Sequence, residues 1–68
     1  MYPVNKTFGS NVRALRSQHG LTQEKLAHIA GIDRAYMGEI ERGNVSPTLN
    51  KMTQISKALE IKLARLLD

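Results

Sequence analysis

The sequence predicts an all-α fold of five short helices. Apolar residues recur at spacings of three and four through most of the 68 residues, which is the period of a helix with one buried face. Glycines and cap-forming residues punctuate that pattern at short intervals. The chain has no cysteine and only two tyrosines and one phenylalanine, so its core must come from aliphatic side chains. Short packed helices are the simplest way to build a core in so small a chain.

The first helix is predicted over residues 8–19, with Gly20 as its C-cap. Residues 1–7 contain Pro3 and show no apolar period, so we expect a flexible N-terminal arm there. The inward-facing stripe, spaced i, i+4, i+7, is expected to be Phe8, Val12 and Leu15. No repeat, linker or low-complexity tract interrupts residues 8–68, which are therefore predicted to form a single domain.

Two further helices, over 22–30 and 34–42, are predicted on either side of a glycine turn. The Thr22 hydroxyl can cap the first of them, Gly31 suits a tight turn, and Asp33 can cap the second. Their inward-facing residues are expected to be Leu26, Ile29, Ala30, Met37 and Ile40. Such a pair is a helix-turn-helix, whose second helix points outward and can enter the major groove of DNA.

Helix 3 is expected to end at Gly43 and to be followed by a short polar loop. Two starts for helix 4 remain open: Ser46 as the cap with Pro47 as the first helical residue, or Thr48 itself as the cap. The inward side of helix 4 is expected to be Leu49, Met52, Ile55 and Leu59, with Ile61 packing back after its end. A last short helix is predicted over 62–67.

Composition narrows the possible functions. A formal net charge of +4 and a pI near 9.9 favour polyanionic partners. The absence of cysteine excludes disulfides and thiolate metal sites, and His19 and His28 fall on different predicted helices, so we expect no metal and no cofactor. No catalytic constellation can be argued, so the protein is not expected to be an enzyme. No apolar run approaches the roughly 18 residues of a membrane span, and we expect a soluble cytoplasmic protein.

The exposed face of helix 3 contains the candidates for reading DNA bases. The four residues expected on that face are Arg34, Ala35, Gly38 and Glu39. Arginine can donate two hydrogen bonds to guanine, alanine can touch a thymine methyl, and glutamate can accept from the cytosine amino group. The alternative is that these charged side chains form an ordinary solvated surface.

The sequence resembles the Cro and phage-repressor (XRE-type) helix-turn-helix family of transcriptional regulators, which includes the controller proteins of restriction-modification systems. The resemblance runs from about residue 8 to 67. It is carried by Leu21, Thr22, Gln23, Leu26, Ala27, Gly31, Ile32, Tyr36, Ile40, Glu41, Arg42, Gly43, Ser46, Pro47, Thr48 and Leu49. It implies that Gln23 contacts DNA, and that a partly buried ion pair between Arg16 and Glu41 joins helices 1 and 3.

Contacts with the DNA backbone are expected from residues around the two ends of the helix-turn-helix. These are Thr22, Gln23, Tyr36, Arg42, Asn44, Ser46 and Thr48. For Tyr36 two roles remain open, because its hydroxyl can reach a phosphate or its ring can simply fill the core.

A domain this small covers about one half-site, so useful specificity implies a homodimer on a DNA operator with two-fold symmetry, with half-sites roughly 34 Å apart. The candidate dimer interface consists of Ile61, Leu63, Leu66 and Leu67, for which plain core packing is the alternative. A different function, in which the same fold chiefly binds a partner protein as an antitoxin or adaptor, also fits the sequence. That function would tolerate loss of Arg34 and Gln23.

Overall fold

The computed structural model describes residues 4–68, and within that range the chain consists of five α-helices and their connections without a strand. The helices are α1 (Val4–Gln18), α2 (Gln23–Ala30), α3 (Arg34–Arg42), α4 (Leu49–Ala58) and α5 (Leu63–Leu66). The predicted all-α, five-helix architecture is therefore confirmed. α1 packs along α3, α2 packs on both α3 and α4, and α5 closes the core against α1 and α4.

The first helix begins at Val4, earlier than predicted, so the expectation of an arm over residues 1–7 was wrong for residues 4–7. Residues 1–3 lie outside the described part of the chain. The extra turn is held by tertiary contacts that periodicity does not reveal. Lys6 packs its Cγ 2.7 Å from the point where a Cβ on Gly43 would lie, and its Nζ donates to the carbonyl oxygen of Arg42 at 3.3 Å.

The starts of α2, α3 and α4 follow the predicted side-chain caps. Thr22 Oγ1 accepts from the Lys25 N–H at 3.0 Å, and Asp33 accepts from the Tyr36 N–H at 3.2 Å. Thr48 caps α4 in the same way, so of the two predicted starts for that helix the second is present. Caps of this kind each contribute about 0.5–2 kcal/mol.

The core is aliphatic apart from one phenylalanine, and it is shared by all five helices. Its buried members are Phe8, Val12, Leu26, Ala27, Ala30, Ile32, Met37, Ile40, Ile55, Leu59 and Leu66. Three other residues predicted to face inward, Leu15, Met52 and Ile61, are half-buried against this core. Two predicted core residues are exposed instead. Ile29 is 49% exposed because α2 turns the face containing Leu26, Ala27 and Ala30 inward. Leu49 is 65% exposed because it is the first residue of α4, and burial on this helix begins one turn later.

The connection after α4 contains Glu60 in the left-handed region, with a φ of 56°. This conformation costs an L-residue roughly 1–2 kcal/mol, whereas glycine adopts it freely. We therefore expect Glu60→Gly to raise the free energy of unfolding by about 0.5–1 kcal/mol, as measured by urea denaturation. Glu24→Gly, at an exposed helical position, should lower it instead. Equal effects of both changes would show that the left-handed geometry carries no strain.

Within residues 4–68 no helix is long and apolar enough to cross a membrane.

Candidate nucleic-acid interface

The helix-turn-helix consists of α2, a three-residue connection and α3. Gly31 ends α2 with a φ of 71°, and the buried side chain of Ile32 anchors the turn in the core. The Ile32 N–H donates to the carbonyl oxygen of Ala27 at 2.9 Å, which closes the turn tightly. Met37 and Ile40 then bury the inner face of α3, so that its opposite face is turned away from the protein.

On that outer face, Arg34 and Ala35 are exposed, as the predicted base-reading role requires. Gly38 is buried, so the prediction that it lies exposed on this face was wrong. A Cβ built on Gly38 would lie 3.3 Å from Gln23 Oε1 and 3.4 Å from the Arg42 guanidinium nitrogens. Gly38 is therefore covered by two side chains from neighbouring turns of the helix-turn-helix.

Glu39, Arg42 and Asn44 form one polar cluster at the end of α3. The carboxylate of Glu39 accepts a charged hydrogen bond from Arg42 Nη2 and a second, at 3.3 Å, from Asn44 Nδ2. The hydrogen bond from Arg42, followed by that from Asn44, holds the pKa of Glu39 below its ordinary value. Glu39 was predicted to contact a base, and Arg42 and Asn44 were predicted to contact the DNA backbone. The structure joins these three side chains to one another, and the two hydrogen bonds favour the ionised form of Glu39.

The ion pair between Arg16 and Glu41, implied by the resemblance, is present beneath the helix-turn-helix. Arg16 Nε lies 2.7 Å from Glu41 Oε2, and Arg16 Nη2 lies 3.1 Å from Oε1. The remaining guanidinium nitrogen, Nη1, donates to the carbonyl oxygen of Leu21 at 2.8 Å. The side chain of Glu41 is only 3% exposed and that of Arg16 is 16% exposed. α1, α3 and the start of the helix-turn-helix are therefore joined through one guanidinium.

Gln23 belongs to the same network. Its Nε2 donates to Glu41 Oε1 at 3.1 Å, so the carboxamide has a fixed orientation at the start of α2. A surface cleft beside it is lined by Arg13, Arg16, Gln23, Glu41 and Arg42. Arg13 was not among the predicted site residues, although its spacing of three from Arg16 could have indicated the same helix face.

The other predicted backbone-contact residues differ in exposure. Thr22, Ser46 and Thr48 are exposed, and the first and third use their hydroxyls as helix caps. The ring of Tyr36 is half-buried against the core. The ring therefore has the predicted core role, and contact of the Tyr36 hydroxyl with a DNA phosphate stays a separate prediction.

The C-terminal residues proposed for a dimer interface are not equivalent. Leu66 is fully buried, and Asn11 Nδ2 donates to its carbonyl oxygen at 2.9 Å, so its assignment to an interface was wrong. Ile61 and Leu63 are half-buried against the core. Leu67 is 40% exposed and is the most accessible of the four.

A capped, outward-facing α3 that is locked to α1 and α2 defines a helix-turn-helix protein of the DNA-binding class. A family model described as helix-turn-helix matches residues 12–66, and the chain belongs to this family of DNA-binding transcriptional regulators. The resemblance inferred from the sequence is therefore confirmed.

Several relatives share most of their length with this chain. It is 42% identical over 66 residues to the control protein C.BamHI of Bacillus amyloliquefaciens, covering 96% of this chain and 82% of the relative. It is 36% identical over 64 residues to the control protein C.SmaI of Serratia marcescens, covering 94% and 76%. The solved structure of the restriction-modification controller protein C.AhdI from Aeromonas hydrophila superposes with a TM-score of 0.90 at 38% identity, covering 96% of this chain and 98% of that one.

Proposed function

We propose that this protein is a sequence-specific, dimeric regulator that inserts α3 into the major groove of an operator with two-fold symmetry. The observation that carries the proposal is the free outer face of α3, where Arg34 and Ala35 are exposed on a helix locked by the network of Arg16 and Glu41. The likeness to control proteins, and to the restriction-modification controller protein C.AhdI, supports a role in regulating the genes of a restriction-modification system. We propose that the protein acts in the cytoplasm without a metal or cofactor.

Arg34 and Ala35 lie at the N-terminal end of α3, the part of a recognition helix that contacts base edges most directly. Their chemistry suits a guanine and a thymine methyl respectively. Glu39 and Gly38 are on the same face, but Glu39 is engaged by Arg42 and Asn44. Contacts with phosphates are proposed for Thr22, Gln23, Tyr36, Asn44, Ser46 and Thr48, which flank this face.

The proposal is tested by selecting bound duplexes from a random DNA pool at about 0.15 M salt, where non-specific phosphate binding is weakened. We expect a motif with two-fold symmetry. Arg34→Ala should then weaken binding to the selected site by about 10- to 100-fold and relax preference at one position of each half-site. Lys57→Ala, at an exposed position in the last turn of α4, should change little.

If wild-type protein selects no motif, or Arg34→Ala binds the selected site as well as wild type, the proposal of base reading by α3 is wrong. The absence of a motif would instead favour a protein-interaction module.

Dimerisation is proposed through the C-terminal surface around Leu67 and Leu63. We expect sedimentation at tens of micromolar protein, with and without operator DNA, to show a dimer that Leu67→Glu weakens, because a carboxylate would be desolvated in the interface. Lys57→Glu places the same carboxylate at another exposed position and changes the net charge by two units instead of one, so it is a stringent control for charge. A wild-type protein that remains monomeric even on DNA would contradict this interface.

A further inference from the structure

Gly38 lies inside the recognition helix although glycine is the poorest ordinary helix former. Its backbone has no positive φ that would require glycine. Outside the backbone of α3 itself, the nearest atoms that a Cβ would approach belong to side chains, at 3.3 Å for Gln23 and 3.4 Å for Arg42. Gly9 is different, since a Cβ there would meet backbone carbonyl oxygens. The space above Gly38 is therefore occupied by polar side chains and not by backbone atoms of a neighbouring helix.

Arg42 follows Gly38 by one helical turn and shares its face. The guanidinium lies back over Gly38 and is held there by the carboxylate of Glu39. Asn44 holds the second oxygen of that carboxylate. The planar group is consequently placed over the middle of α3 and not beyond the C-terminal end of the helix.

We propose that Gly38 makes room for Arg42 to act as a guanine-reading side chain, with Glu39 as its positioning residue. This inference rests on insertion of α3 into the major groove and adds a second base contact to that of Arg34. A guanidinium can donate two parallel hydrogen bonds to guanine O6 and N7 while another of its N–H groups remains on the carboxylate of Glu39. In this proposal Arg42 contacts a base instead of a phosphate. Glu39 acts by positioning Arg42 instead of contacting cytosine itself.

The test uses the full chain and the operator selected by the wild-type protein. Gly38→Ala adds one methyl group in tight contact with Gln23 Oε1 and the Arg42 guanidinium. Arg42→Lys keeps the charge without the planar fork. Affinities are measured for duplexes with each base pair of a half-site replaced in turn, over a range of salt concentrations. Thermal melting is recorded for every variant, and Arg65→Lys, at an exposed position on α5, is the matched control.

We expect Gly38→Ala to melt at the wild-type temperature or several degrees higher, because alanine favours the helix. Both Gly38→Ala and Arg42→Lys should bind the selected operator at least about tenfold more weakly and lose preference for guanine at one shared position. The dependence of affinity on salt should stay unchanged, since no phosphate contact is removed. Arg65→Lys should retain affinity and preference.

A uniform loss of affinity across all duplexes, with a shallower salt dependence, would show that Arg42 binds a phosphate and would overturn the inference. Retention of the guanine preference by Gly38→Ala or Arg42→Lys would overturn it as well, while leaving α3 as the recognition helix. Failure of the wild-type protein to select any motif would end both proposals together.

Discussion

Arg16→Met is expected to lower the free energy of unfolding by about 3–5 kcal/mol, because it leaves the carboxylate of Glu41 buried without its cation. The side chain of Glu41 is 3% exposed, and both of its carboxylate oxygens accept hydrogen bonds from Arg16. For a domain of this size the change corresponds to a fall in melting temperature of more than about 12 °C. DNA binding should weaken with it, since Gln23 is oriented by the same carboxylate.

A double-mutant cycle measured by urea denaturation separates charge burial from simple loss of contacts. The double variant Arg16→Met, Glu41→Leu removes both charges and should recover much of the stability that the single variant loses. Arg13→Met is the matched control, because Arg13 is an exposed arginine one turn earlier on α1, and its replacement should stay within about 0.5 kcal/mol. An unchanged melting temperature for Arg16→Met would show that the ion pair does not hold α3 in place.

Gly9→Ala is the second substitution for which we expect a large effect, a loss of about 3 kcal/mol. A Cβ at this position would meet the carbonyl oxygen of Ile40 and would lie 2.7 Å from that of Glu41. These are backbone atoms of α3 and cannot rotate aside, so α1 would have to move away from α3. Because α3 is the recognition helix, affinity for the selected operator should fall as well.

Thermal and urea unfolding of Gly9→Ala and Gly38→Ala give a direct comparison. Helix propensity favours alanine at both positions. Opposite changes in stability would therefore be caused by the atoms packed around each glycine and not by helix propensity. Ser10→Ala, at the exposed neighbouring position of α1, should be neutral or slightly stabilising. If Gly9→Ala were as stable as wild type, the close approach of α1 to α3 would not require glycine at this position.

The sequence alone determined the helical architecture and most helix boundaries. The starts of α2, α3 and α4 follow from Thr22, Asp33 and, among two open choices, Thr48, because a capping side chain acts on backbone N–H groups only three residues away. The outward position of Arg34 and Ala35 followed from the helical period. The ion pair of Arg16 with Glu41 came from the family resemblance, since no local rule connects residues 25 positions apart.

Tertiary structure decided which faces are buried and which polar groups meet. The first turn of α1 depends on Lys6 reaching the end of α3, and the exposure of Ile29 depends on how α2 rotates against its neighbours. The covering of Gly38 and the cluster around Glu39 likewise arise where side chains from different turns converge. Periodicity shows that a helix has an apolar face, but the packing of segments distant in the chain sets its rotation and its contacts.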